Sequence, residues 1–325
     1  MNISCFDESL SFAASIVLSL WFASSGLAAV IGNVVVLWLF HKNETLLTVS
    51  NRFLASLCVA DFLVGLLIDP VWMVIRCLIQ PPKTATVLIM VLDMLWFHTT
   101  AATVFNLCCV SVNRFIAIRF PFRYQDIITK KRCYAVIIMV WLISLFLPFS
   151  RTLVDNRMNV EKFWFSLSFV FFKLPITVVT LCYFAIFKAA RKQASRIKRE
   201  NLQNANERNA SARALQNYKA IKTIGFVLGV FIVSWMPSLV VSVVDYVTAS
   251  DQCVDHKLVY IVWPWIDAVG LTSSAINPWI YVFRNGEFRE ALRRCFHWFP
   301  LNAPQLALSQ VRPEIKNVKR GADEL

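Results

Sequence analysis

Long, nearly uninterrupted apolar blocks recur along this chain, and nothing else in it restricts the fold as tightly. The stretch Ala13–Phe40, for example, holds no charged residue. About 20 mostly apolar residues suffice for a helix to cross the hydrocarbon of a bilayer. Within that hydrocarbon a helix is one of the few structures that satisfies all its own backbone groups. Blocks of this length run approximately over Ala13–Phe40, Asn51–Leu78, Thr84–Ile118, Arg132–Phe149, Phe163–Ala190, Lys219–Val247 and Lys257–Phe283. The expected fold is therefore all-α: a seven-transmembrane helix bundle over residues 13–283. A soluble chain carries about a quarter charged residues; here 57% are hydrophobic and 16% charged.

Charge sets the orientation. Between Lys188 and Lys222 stand Arg191, Lys192, Arg196, Lys198, Arg199, Arg208, Arg213 and Lys219, against Glu200 and Glu207. The loop after the third block carries Arg119, Arg123, Lys130, Lys131 and Arg132. Short cytoplasmic loops collect such residues. The opposite ends are acidic, with Asp7 and Glu8 before the first block and Asp251 and Asp255 against Lys257 before the last. The N-terminus, residues 1–12, is thus expected outside, and the tail, 299–325, inside. The net charge of +13 belongs to this pattern and not to nucleic-acid binding. No basic leader or cleavage site precedes the first block, which reads as a retained span that directs insertion. The expected location is the plasma membrane, with many passes and membrane lipids as neighbours. Asn2 lies in a sequon on the outer side and is a glycosylation candidate; Asn43 and Asn209 lie in inner sequons and are expected to stay bare. The terminal Ala-Asp-Glu-Leu resembles a retrieval signal but would lie in the cytoplasm, and is taken as coincidence.

After the seventh block, Gly286–Trp298 sets Phe288, Leu292 and Phe296 on one face, with Arg289, Arg293 and Arg294 elsewhere. That pattern suits a short eighth helix lying on the membrane surface. Cys295 beside it is either a palmitoylation site or an unmodified thiol. The polar loop near 193–217 either extends its flanking helices or is disordered. Cys58, Cys108, Cys109 and Cys182 lie inside apolar blocks as small buried side chains, and no Cys/His spacing suits zinc.

Polar groups at lipid depth are costly and are functional candidates for that reason. Asn33, Asp61 and Asn277 interrupt the first, second and seventh blocks. A buried carboxylate needs a partner, and these three, with Thr103, Ser273 and Ser274, offer oxygens for water or a sodium ion at Asp61. A purely structural hydrogen-bond network is the alternative. Prolines at 70, 148, 175, 237 and 278 fall within blocks. Pro237 follows Trp235, with Phe231 a turn earlier, so a large aromatic stands at a bend whose inner end is basic. A small rotation there moves that inner end several ångströms, which is a hinge.

These residues together resemble the rhodopsin-like (class A) G-protein-coupled receptors, over Gly32 to Phe296. The matching pieces are Gly32-Asn33, Leu57 to Asp61, Asn113-Arg114-Phe115, Trp141, Pro175 with Tyr183, Phe231 with Trp235 and Pro237, Asn277-Pro278 with Tyr281, and Phe288-Arg289. The resemblance implies that Arg114 meets a heterotrimeric G protein or holds the inactive state. It implies that Asp61, Asn33 and Asn277 form a sodium and water site, with no other cofactor. Trp235 and Phe231 would sense ligand at the pocket floor. Tyr183 and Tyr281 would reach Arg114 through water when the sixth helix swings out. Three departures stand out. The acidic neighbour of the arginine is replaced by Asn113, from which raised basal signalling is expected. The acidic residue near the start of the sixth span is missing from Gln216-Asn217-Tyr218. The usual outer disulfide cannot form, since Lys83–Val91 and Arg151–Lys162 hold no cysteine; Cys5, Cys77 and Cys253 are the remaining outward thiols.

The spans look most like the aminergic branch, trace-amine-type receptors included. An amine pocket needs a carboxylate for the ammonium and aromatics around it. The family's pairing position holds Trp96; Asp93 lies a turn further out, and Asp267 in the outer half of the seventh span. Trp96, Trp263 and Trp265 are candidate walls, or interfacial anchors, and Thr99, Thr100 and Ser168 candidate polar contacts. A small extracellular amine is one expectation; a nucleoside, peptide or lipid ligand is the other. Retinal is excluded because no lysine occurs between Leu258 and Phe283. A transporter is disfavoured by the lack of internal repeats. No enzyme is expected: His41, His98, His256 and His297 are scattered and make no catalytic set.

Overall fold

The computed structural model describes residues 10–74, 86–120, 122–154, 229–248, 251–284 and 286–295, with position 226 and scattered positions between 162 and 188. These residues are helical apart from short connections, with no strand among them. Span one is Phe12–Lys42. Span two runs as Val49–Leu63, a π-helical turn Val64–Ile68, and Asp69–Trp72. Span three is Thr86–Arg119 and span four Lys130–Phe149. Span five is described in pieces, among them a π-helical turn Phe169–Lys173. Span six is helical over Gly229–Thr248, straight through Pro237. Span seven runs as Gln252–Lys257, a π-helical turn Leu258–Val262, and Trp263–Arg284. The surface helix is Gly286–Cys295. Helix starts follow capping chemistry: the hydroxyls of Ser11, Thr48 and Thr129 accept from the backbone N–H of Ala14, Asn51 and Arg132.

Six helices are long and apolar enough to cross a membrane among the described residues. Ile138, Met139, Leu142 and Phe146 of span four are 57–71% exposed except where neighbours touch, a face that only lipid accommodates. Span three is the central rod: 61% of its apolar window is buried, against 22% for span four.

Close helix approach depends on small residues, as is usual in membranes. A Cβ on Gly32 would come within 2.9 Å of Pro278 Cγ, so spans one and seven touch where the two sequence motifs meet. Further out, Gly26 and Gly65 face each other; a Cβ on Gly65 would lie 2.7 Å from Gly26 O. Trp21 Nε1 donates to Thr272 Oγ1 at 2.9 Å across spans one and seven. Trp141 Nε1 donates to Ser56 Oγ at 3.0 Å, tying span four to span two. The side chains of Arg52 and Tyr134 bond across the inner ends of the same spans.

The surface helix packs against the end of span one. Phe288 is fully buried and meets Phe40 edge-on at 5.2 Å, while Cys295 is exposed. Arg289 Nη1 donates to Phe283 O at 2.8 Å, which closes the turn from span seven. Phe296, Asn2, Cys5, Cys77, Ser168, Tyr183 and the loop near 193–217 lie outside the described residues.

Candidate functional site

Asp61 is fully buried at the junction of spans two, three and seven. Its Oδ1 accepts from Thr103 Oγ1 at 3.1 Å and Ser274 Oγ at 2.9 Å. Its Oδ2 accepts from Asn277 Nδ2 at 2.8 Å. Three donors from two other helices converge on one carboxylate, which is what keeps a charge tolerable at lipid depth. Asn33 does not bond Asp61 directly; its Nδ2 donates to Ala29 O at 2.8 Å and Ser274 O at 3.2 Å. Span one therefore joins the cluster through the backbone of span seven. Ser273 also stays off the carboxylate: its hydroxyl donates to Gly270 O at 2.8 Å. The acceptors Asn33 Oδ1 and Asn277 Oδ1 are buried without partners. A carboxylate, hydroxyls and two spare amide oxygens are an all-oxygen set, and that fits a hard monovalent cation.

An aromatic column stands beside this cluster. Trp235 Nε1 donates to Ser273 Oγ at 3.4 Å, and the far edge of its ring lies over Gly270, whose absent Cβ would be 3.2 Å away. Phe231 lies at 6.1 Å from the Trp235 ring on its inner side, and Trp96 of span three at 5.8 Å. Trp96 is only 7% exposed, so it is a core side chain and not an interfacial anchor. Trp96 thus touches Trp235, which bonds Ser273 on the helix that carries Asn277.

At the inner end of span three, Asn113 Oδ1 accepts from Tyr124 OH at 3.0 Å. Tyr124 belongs to the short helix Tyr124–Ile127 of the connecting loop. Arg114 Nε and Tyr281 OH are both buried without a hydrogen-bond partner, and no bond joins the two residues.

Comparison with known proteins decides the family. The profile of the 7 transmembrane receptor (rhodopsin family) matches residues 32–163 and 149–281. The chain belongs to the rhodopsin family of seven-transmembrane receptors. The histamine H2 receptor of Cavia porcellus is 29% identical over 289 residues, covering 83% of this chain and 76% of that protein. The human histamine H2 receptor is 27% identical over 311 residues, 90% of this chain and 82% of that protein. The trace amine-associated receptor 9 of Rattus norvegicus is 28% identical over 331 residues, 90% of each. The activity is accordingly that of a G-protein-coupled receptor, not of an enzyme.

In the receptor's outer half, the polar residues expected from the sequence fall into different surroundings. Thr99 spends its hydroxyl on its own helix, donating to Leu95 O at 3.0 Å and Trp96 O at 3.1 Å. Thr100 Oγ1 and Trp96 Nε1 are buried without partners and lie one turn apart on span three. Asp267 is 4% exposed, whereas Asp93 and Trp263 are half-buried. The sequence reading overlooked three residues. Asn106 is fully buried, with Nδ2 donating to Ala102 O at 2.8 Å and Oδ1 unpartnered. Tyr124 is the partner of Asn113. Asp69 is fully buried with neither carboxylate oxygen hydrogen-bonded. Its signal was in plain view, a charged residue inside an apolar block and directly before Pro70.

Proposed function

We propose that this receptor sits in the plasma membrane and binds a small extracellular amine in its outer half. Binding then activates a heterotrimeric G protein at the inner ends of spans three, five and six. The observation that carries this reading is the column Trp96–Trp235–Phe231, which begins at the family's ligand position and runs to the polar cluster on span seven. The relatives carry the names histamine H2 receptor and trace amine-associated receptor, which favours an amine. Asp93 and Asp267 are the carboxylates for its ammonium, and Trp96, Trp263, Thr99, Thr100 and Ser168 the contacts around it. Trp96 replaces the acidic residue at the usual pairing position, so the cation sits displaced from where an aminergic receptor holds it. That same replacement favours the competing reading of an uncharged ligand.

In this mechanism ligand displaces Trp96 and with it Trp235. Span six turns about Pro237, its inner end moves away, and Arg114 becomes available to the G protein. Tyr183 and Tyr281 then engage Arg114 through water. Asp61, with Thr103, Ser274 and the spare oxygens of Asn33 and Asn277, would hold a sodium ion, which would supply a counter-charge to the carboxylate in the resting arrangement. Such a ligand acts only through its differential affinity for the two arrangements. A reporter screen of biogenic amines in cells tests this, with Asp93→Ala and Asp267→Ala at equal surface expression. A potency loss of about tenfold or more at one variant is the expected result, in line with losing one charge-assisted bond. Equal potency at both variants ends the amine reading.

A further inference from the structure

Asp69 lies eight residues beyond Asp61 on span two, directly after the π-helical turn. Both carboxyl groups are fully buried, yet Asp61 has three donors and Asp69 has none. An ionised carboxylate with neither donor nor counter-charge is among the costliest groups that lipid depth can hold. Something has to neutralise it.

The packing leaves room for nothing larger than a proton. A Cβ on Gly26 of span one would lie 2.9 Å from Asp69 Cβ and 3.2 Å from Asp69 Oδ2. A Cβ on Gly65 would lie 2.7 Å from Gly26 O and 2.8 Å from Ala29 Cβ. The two glycines let spans one and two close over the carboxyl group. The neighbouring elements supply no cation either. Span one has no charged residue between Phe12 and Phe40. The ionisable residues of span seven from Trp263 to Phe283 are Asp267 and Tyr281, both acids. On span three Asp93 is an acid, and His98 packs on Trp141 of span four, their rings 5.8 Å apart. Arg114 and Arg119 stand at the other end of that helix, as Arg52 does on span two. Arg76 and Lys83 lie outside the described residues.

A carboxyl group that keeps its proton needs one acceptor, and a carbonyl stands close by. Gly65 O is 3.1 Å from the place a Gly26 Cβ would take, the same spot that Asp69 Oδ2 borders. Asp69 N–H donates to Val64 O in the π-helical turn. The residue five on from Gly65 is Pro70, which has no N–H to give, so the turn offers the Gly65 carbonyl no donor there.

We propose that Asp69 is a proton-binding site: it stays the undissociated acid, turned to the Gly65 carbonyl, and its ionisation parts spans one and two. The proton leaves to water, and the charge left behind can be solvated only if the seam opens. The seam is thus a latch held shut by one proton. The closed form binds that proton more readily than the open one. The latch therefore holds at low pH and weakens as pH rises through the ionisation of Asp69. It joins spans one and two, whereas the Asp61 cluster joins spans two, three and seven. It stands whatever ligand the receptor takes.

The test uses full-length receptor in lipid nanodiscs, in an Asp61→Asn background so that Asp61 gives no carboxyl signal. Infrared difference spectra compare receptor that keeps Asp69 with Asp69→Asn. At about pH 6 the difference should contain the C=O stretch of an undissociated carboxyl group. Hydrogen exchange of residues 64–72 is followed on the same pair, compared at equal pH so that the intrinsic pH dependence cancels. The pair should exchange alike at about pH 6, and the receptor with Asp69 about tenfold faster at about pH 9. Absence of the carboxyl band at about pH 6 overturns the proposal, since Asp69 would then be ionised beside a cation such as Arg76. An exchange ratio that is the same at both pH values also overturns it, because Asp69 would then operate no latch. Should Asp69→Asn fail to fold, Asp69→Ala takes its place, for it leaves no side-chain polar atom in the seam.

Discussion

Replacing Asp61 by alanine and by asparagine should give different outcomes, and the difference follows from which atoms are left facing one another. Alanine removes the acceptor for Thr103 Oγ1, Ser274 Oγ and Asn277 Nδ2 at once, in a place no solvent reaches. Interhelical hydrogen bonds in membrane proteins are worth about 0.6–1.7 kcal/mol each, so three stranded donors cost roughly 2–5 kcal/mol. At about 2–4 °C per kcal/mol, the unfolding temperature falls by roughly 4–20 °C. Removing a buried charge can stabilise a protein when apolar groups replace both sides of the pair; here the donors remain, so the gain does not materialise. Asparagine keeps one oxygen for Thr103 and Ser274. Its amide then confronts Asn277 Nδ2, but Asn277 can turn over and present Oδ1, which is unpartnered in the structure. The bond count is preserved, and the expected loss is about 1 kcal/mol or less. Purified receptor in nanodiscs, heated with a thiol-independent fluorescence readout in sodium-free buffer, separates the two. Equal losses for the two variants, or an alanine variant as stable as wild type, would refute this account of the cluster.

Other consequences are simpler to state. Asn113→Asp gives Arg114 a charged neighbour worth about 1 kcal/mol, enough for about a fivefold shift in a two-state population; ligand-independent cAMP or calcium signal should fall at matched surface expression. Gly32→Val forces spans one and seven apart against Pro278; overpacking of this kind costs about 1–3 kcal/mol, to be read as lost thermal stability and surface display. Phe288→Ala empties the contact with Phe40; hydrogen exchange of residues 286–295 should accelerate by tenfold or more while the spans stay protected.

Much of the bundle was legible because lipid imposes so few solutions. A charge-free run such as Ala13–Phe40 can only be a helix, and the costly polar residues Asp61 and Asn277 advertise themselves by their surroundings. Their mutual bond was therefore foreseeable. Asn33 and Ser273 were assigned to the same carboxylate, yet each bonds a backbone carbonyl instead. Sequence reveals that a polar side chain needs a partner, but the rotation of its helix selects which one. Trp96 illustrates the same limit: tryptophan suits both an interface and a core, and only packing against Trp235 makes it a core residue. Pro70 was read only as one of several prolines within the apolar blocks. That it also frees the Gly65 carbonyl beside Asp69 depends on the π-turn, where the ladder slips by one residue.

Sequence alone determined the number of rods and the family whose motifs they carry, and it set the expected orientation from loop charge. These rest on length, hydropathy and residue order, which are properties of the chain taken one segment at a time. Only the assembled bundle decided which polar atoms found partners and which, like those of Asp69, did not. That outcome depends on how seven helices are rotated and tilted against each other, and a difference of one residue in a turn changes the face a side chain meets.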